Sequence, residues 1–190
     1  MNREISVHIV MGIATAAVVL LCGCSAVVTP YPVGSAPAPD AAETLQGIWK
    51  GEENLVWMRH VSNGVCSLVN VEYDKESFKT QTHTFMLRRT GPALYANLLA
   101  APKKKAPQYI FALLETSDNQ TCTIVPPRVP VFAAAVRNGA LAGIVVSDDE
   151  VTITGSLAQL EQYLAAYPAT NIWNNENSTT LTRLQPAAGR

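Results

Sequence analysis

Leu55-Val56-Trp57-Met58-Arg59-His60-Val61-Ser62-Asn63-Gly64-Val65-Cys66-Ser67-Leu68-Val69-Asn70-Val71-Glu72-Tyr73 is the stretch whose reading decides the fold. Two runs rich in β-branched and aromatic residues flank Ser62-Asn63-Gly64. Asn-Gly between such runs signals a tight hairpin, because both residues tolerate the positive φ of a two-residue turn. Side chains alternate across a strand, so Val65, Val69, Val71 and Tyr73 share one face, interrupted by Ser67. Cys66, Leu68, Asn70 and Glu72 share the other.

The pattern repeats toward the C-terminus. Asp74-Lys75-Glu76-Ser77 is a polar turn, and residues 80–89 follow as a strand with Phe85 and Leu87 facing one way and Thr82, Thr84 and Met86 the other. Thr90-Gly91-Pro92 ends it. Residues 93–100, 108–116 and 121–125 continue the series. Regular strands joined by short turns predict a mainly β fold: an antiparallel meander that curls into a barrel or half-barrel.

Two short helices interrupt the strands in the C-terminal half. Pro130 opens a helix over 131–138, whose Phe132 and Val136 form a short apolar stripe, and Asn138-Gly139 supplies its left-handed stop. Strands over 144–147 and 150–154 flank Asp148-Asp149. Ser156-Leu157-Ala158-Gln159 is a capping box opening a second helix, which places Leu157, Leu160, Leu164 and Tyr167 on one face before Pro168. A last strand covers 178–184.

The N-terminal end reads differently. Residues 9–21 are an unbroken apolar or small-residue run preceded by one basic residue, Arg3, a length that suits a signal-peptide core of roughly 7 to 15 residues better than a spanning helix of about 20. Leu21-Cys22-Gly23-Cys24 closes the run and resembles the lipobox of bacterial lipoproteins. The resemblance implies cleavage before Cys24, with acyl chains on that cysteine, and Ser25 after it implies outer-membrane placement facing the periplasm. Residues 24–43 carry Pro30, Pro32, Pro37 and Pro39 among small residues and read as a Pro/Ala-rich tether. The expected division is a signal peptide over 1–23, the tether over 24–43, one β-rich domain over 44–186 and a tail over 187–190.

Gly47-Ile48-Trp49 at the start of the first barrel strand resembles the calycin signature shared by lipocalins and their relatives. That resemblance implies a tryptophan closing the barrel base beneath a late arginine, for which Arg183 is the match. Phe132-Ala133-Ala134-Ala135-Val136, Gly139-Ala140-Leu141-Ala142-Gly143 and Thr154-Gly155-Ser156-Leu157-Ala158-Gln159-Leu160 are similar to segments of uncharacterised bacterial lipoproteins, which supports the architecture alone.

Net charge is −1 over 190 residues, so no nucleic-acid partner is implied. With Cys22 removed and Cys24 acylated, Cys66 and Cys122 are the candidates for one disulfide, or else two buried thiols. His60 and His83 lie outside any metal-ligand spacing and read as surface or rim residues, so no metal or cofactor is expected. Glu52-Glu53 and Asp148-Asp149-Glu150 read as solvated turns, Ser67 has no identifiable base, and no nucleophile elbow or phosphate loop is present, so an enzyme is not expected.

Lys103, Lys104 and Lys105, bracketed by prolines, form a charged hairpin tip. Its ordinary meaning is a solubilising loop. Its functional meaning is contact with phosphate groups of an anionic lipid surface, at about 1 kcal/mol per lysine. Two functions remain: a lipid-anchored envelope protein whose barrel binds an apolar or amphiphilic ligand or assists envelope assembly, and an interaction module or hydrolase inhibitor with an envelope protein partner.

Overall fold

The computed structural model describes residues 25–74, 77–100, 107–167 and 169–184. The signal peptide expected over 1–23, Cys24, Lys103, Lys104, Lys105 and the expected tail over 187–190 lie outside them.

The Asn63-Gly64 turn forms as its sequence dictates, with φ of 43° and 78°. It joins β4 (Asn54–Ser62) to β5 (Val65–Asp74). The meander continues through β6 (Ser77–Thr90), β7 (Ala93–Ala100), β8 (Gln108–Asp118) and β9 (Thr121–Val125). β3 (Gly47–Lys50) precedes it and β12 (Thr179–Arg183) ends it. β12 pairs with both β3 and β9, and β9 pairs with β8, so the ring β3-β4-β5-β6-β7-β8-β9-β12 is a closed eight-stranded antiparallel barrel. Closure leaves the ring no unpaired edge.

The core splits in two. Inside the barrel, Trp49, Val56, Met58, Cys66, Leu68, Phe85, Leu87, Leu98, Leu114, Cys122, Ile124 and Leu181 pack together. A second cluster lies on the outer face of β7, β8 and β9, where Tyr95, Phe111 and Val125 meet two helices and a small sheet. Those helices are α2 (Val129–Arg137) and α3 (Leu157–Ala166), within one or two residues of the predicted pair. Phe132 and Leu160 are their fully buried contributions. Gly139 takes the left-handed φ of 79° after α2, and the Ser156 hydroxyl caps α3 by accepting from the Gln159 N–H at 3.2 Å.

One expectation is corrected here. The described part of the predicted tether, residues 25–43, is built into the domain. β1 (Ala26–Thr29) pairs antiparallel with β8 and parallel with β11 (Glu150–Ile153), and β10 (Gly143–Ser147) completes this side sheet. Val27 and Val33 are fully buried. β2 (Ala36–Pro37) then pairs with β6, and α1 (Pro39–Leu45) packs Ala41, Ala42 and Leu45 into the barrel core. Prolines suggested a free extended chain, but Pro39 serves as a helix start and Val27, Val28 and Val33 supply apolar surface to bury.

Residues 144–147 and 150–154 form strands as read, and they lie in the side sheet outside the barrel ring. Two short elements, α4 (Ala169–Ile172) and a 3-10 turn (Asn175–Asn177), connect α3 to β12.

Candidate functional site

The barrel base is built on Trp49. Its indole N–H donates to the Leu45 carbonyl at 2.8 Å, tying β3 to the end of α1. The Arg183 guanidinium lies over the ring, with Cζ 4.8 Å from the centroid. It also donates to the carbonyls of Thr44 and of Gln46, the latter at 3.0 Å. Gly47 lies against this guanidinium at a φ of +143°, which explains why glycine opens the strand. The two residues named from the calycin resemblance are therefore brought together, in direct register as partners on β3 and β12.

Cys66 and Cys122 are both buried free thiols, so the disulfide candidate is corrected. β5 and β9 are four strands apart around an eight-strand ring, on opposite walls. Burial pushes both thiols up to about 11. Thiolate is the reactive form, so both should be inert when folded. Iodoacetamide at pH 8 should leave Cys66 and Cys122 unlabelled in the native protein and label both after denaturation. Labelling of either cysteine under native conditions would contradict this packing.

His60 and His83 were expected at the surface or rim, and each instead buries its Nε2 without a hydrogen-bond partner among the described residues. His83 lines a void of about 50 Å³ inside the barrel, with Met58, Leu68, Phe85, Leu98 and Ile124. The signal was available: His83 shares strand parity with Phe85 and Leu87, which point inward. Desolvation lowers the His83 pKa. The folded state thus binds this proton more weakly than the unfolded chain, whose histidine titrates near about 6.5.

The His83 contribution is therefore present above that pH and lost as pH falls through it. Urea midpoints at pH 7.5 and 5.5 should show wild type losing more stability than His83→Leu. Equal losses would remove His83 as the cause. Asp40, held below its ordinary range by its hydrogen bond from Arg89, titrates far lower and does not overlap this window.

Outside the barrel, the ends of β7 and β8 and the α3 end border a broad solvent-open trough of about 560 Å³. Arg89, Tyr95, Glu115, Leu164, Tyr167 and Trp173 line it. Glu52, Glu53, Asp148 and Asp149 lie in exposed turns. No group of three or more potential metal ligands occurs among the described residues, and no described helix is long and apolar enough to cross a membrane.

The two most exposed large apolar side chains among the described residues, Phe78 and Tyr73, lie on the opposite wall with other exposed apolar groups. Ile48 (49% exposed) pairs across the strands with Trp57 (50%), and Trp57 with Val69. Leu55 pairs with Val71. Tyr73 (63%) pairs with Phe78 (73%), their rings 5.1 Å apart. These pairs form a continuous apolar and aromatic stripe across β3, β4, β5 and β6. Contiguous exposed apolar surface, unlike scattered single residues, marks a surface that meets something. Comparison with protein families, with curated proteins and with solved structures returns no match.

Proposed function

We propose that this is a non-catalytic lipoprotein of the bacterial envelope, anchored by acyl chains on Cys24 and facing the periplasm from the outer membrane, whose barrel presents a rigid interaction wall to an envelope protein. The observation that carries the reading is the stripe through Ile48, Trp57, Tyr73 and Phe78. Its central strand β4 lies four strands from β8, where the incoming chain attaches through β1. An anchor on that chain would thus leave the stripe turned away from the attachment side and open to a partner.

The barrel interior supports this order of preference over a ligand sac. A void of about 50 Å³ has room for only a few water molecules. Small-molecule pockets run from about 300 to 1,000 Å³. Inward side chains fill the barrel instead of lining a chamber.

A photo-crosslinking residue at position 57 or 78 of the anchored protein should yield one shared adduct, and the same residue at position 144 should not. Trp57→Glu with Phe78→Glu should abolish the adduct while thermal unfolding stays cooperative. Recovery of uncrosslinked protein from both positions would remove the reading. Binding of an apolar or amphiphilic ligand is a second reading, favoured by the size of the trough beside α3. Displacement of a fluorescent dye by lysolipid, weakened by Tyr167→Ala, would support it.

A further inference from the structure

The chain enters the fold with almost no slack. The Ala26 N–H donates to the Asp149 carbonyl at 2.7 Å, and the Ser25 hydroxyl donates to the Asp149 carboxylate at 3.1 Å. From Ala26 onward the backbone is held in parallel register, Ala26 with Glu150 and Val27 with Val151. An extended residue spans at most about 3.6 Å. Two residues therefore separate the Cα of Cys24 from that of Ala26 by no more than about 7 Å. Whatever is attached to Cys24 stays beside the β10–β11 hairpin.

That hairpin carries apolar surface of its own. Ile144 is 59% exposed and Val146 56%, both on β10, the terminal strand of the sheet order. Val145, between them, turns the other way and packs with the second core. Ser147 pairs with Glu150, which pairs with Ala26, so Val146 lies one residue from the row where the chain enters. Neither Ile144 nor Val146 adds to the cores already described.

We infer that the β10–β11 edge is the membrane-facing surface of the domain, with Ile144 and Val146 seated in the headgroup layer beside the acylated Cys24. This rests on the reading of Cys24 as the lipid anchor and adds an orientation to it. The short leash selects the occupant: the Cα that carries the acyl chains lies within about 7 Å of that of Ala26, whose strand is two strands, or about 10 Å, from β10. Asp148, Asp149 and Glu150 at the hairpin turn set a preference within it. Carboxylates meet repulsion at an anionic surface, so the seat is deeper on zwitterionic lipid.

The test uses the full lipidated protein. The inert thiols of Cys66 and Cys122 allow one new reactive cysteine, Val146→Cys, Ile144→Cys or Phe78→Cys, each carrying an environment-sensitive fluorophore. In phosphatidylcholine vesicles, labels at 144 and 146 should shift to the blue and lose several-fold sensitivity to aqueous iodide, while the label at 78 stays fully quenched. The shift should shrink when a third of the lipid is phosphatidylglycerol. A twelve-residue Gly/Ser insertion between Ser25 and Ala26 should restore quenching at 146 without releasing the protein.

Labels at 144 and 146 as quenched as the one at 78, in protein that floats with the vesicles, would overturn the orientation and leave the anchor standing. Failure to float, with no acyl mass on Cys24, would remove anchor and orientation together. Shielding unchanged by the insertion would overturn the short leash as its cause.

Discussion

Trp49→Ala is expected to lower the stability of the domain by about 3–5 kcal/mol, the cost of truncating a fully packed aromatic side chain in a core that cannot collapse around the gap. The site has little freedom to relax. Trp49 is 1% exposed, its N–H is bonded to the Leu45 carbonyl, and Arg183 lies across its face. Truncation leaves the guanidinium over a void and unties α1 from β3. Arg183→Met is the informative companion. It keeps an aliphatic stem over the indole and forfeits a cation–π contact of about 0.5–2 kcal/mol. The Thr44 and Gln46 carbonyls it releases are near solvent and can take water instead.

The two losses should therefore be unequal, with the indole the larger. Urea unfolding followed by far-ultraviolet circular dichroism measures both. A Trp49→Ala midpoint within about 1 kcal/mol of wild type would mean that the barrel base is not held by this residue. If Arg183→Met cost as much as Trp49→Ala, the guanidinium would be the keystone and the indole its passive floor.

The meander from β4 to β9 was legible because local signals suffice there. Asn63-Gly64 fixes a turn, alternation fixes each strand, and consecutive strands pair with their neighbours. What was not legible depends on partners far along the chain. β1 pairs with β11 more than a hundred residues away, in parallel, and nothing within Ala26-Val27-Val28-Thr29 announces that strand. The four prolines of residues 30–39 pointed instead to an unstructured tether.

Face assignment was partly hidden for a related reason. On β5 the valine-rich face with Tyr73 turns out, while Cys66, Leu68 and Asn70 turn in. A tally of hydrophobicity would choose the opposite side. Asn70 is tolerated inside because its side chain accepts from Asn54 at 2.7 Å and donates to Glu72 at 2.8 Å. The same inversion places the valine-rich face of β5 in the outer stripe, so the feature that misleads a pattern reading is also the feature that carries the proposed interaction wall.

Asn97→Leu is the second large effect, expected to cost about 2–6 kcal/mol, because it orphans two buried backbone groups at about 1–3 kcal/mol each. Asn97 is fully buried on the outer face of β7. Its side-chain oxygen accepts from the Val33 N–H at 2.6 Å, and its amide donates to the Val33 carbonyl at 2.9 Å and the Met86 carbonyl at 3.3 Å. One amide thus does for the incoming chain what a neighbouring strand would do, at a point where no strand runs beside Val33. Leucine matches the shape and supplies none of these three bonds.

The loss should also be local. Thermolysin should cut within residues 25–38 of Asn97→Leu well before it attacks the barrel, whereas that segment resists in wild type. Ser35→Ala, which deletes an exposed hydroxyl bonded to the Arg89 carbonyl, should fall within about 0.5 kcal/mol of wild type. Early cleavage of residues 25–38 in wild type would restore the tether and detach Cys24 from the side sheet. Protection in wild type and its loss in Asn97→Leu would place the proposed anchor directly on the folded body, because a segment clamped at Val33 and laddered from Ala26 has no length left to act as a spacer.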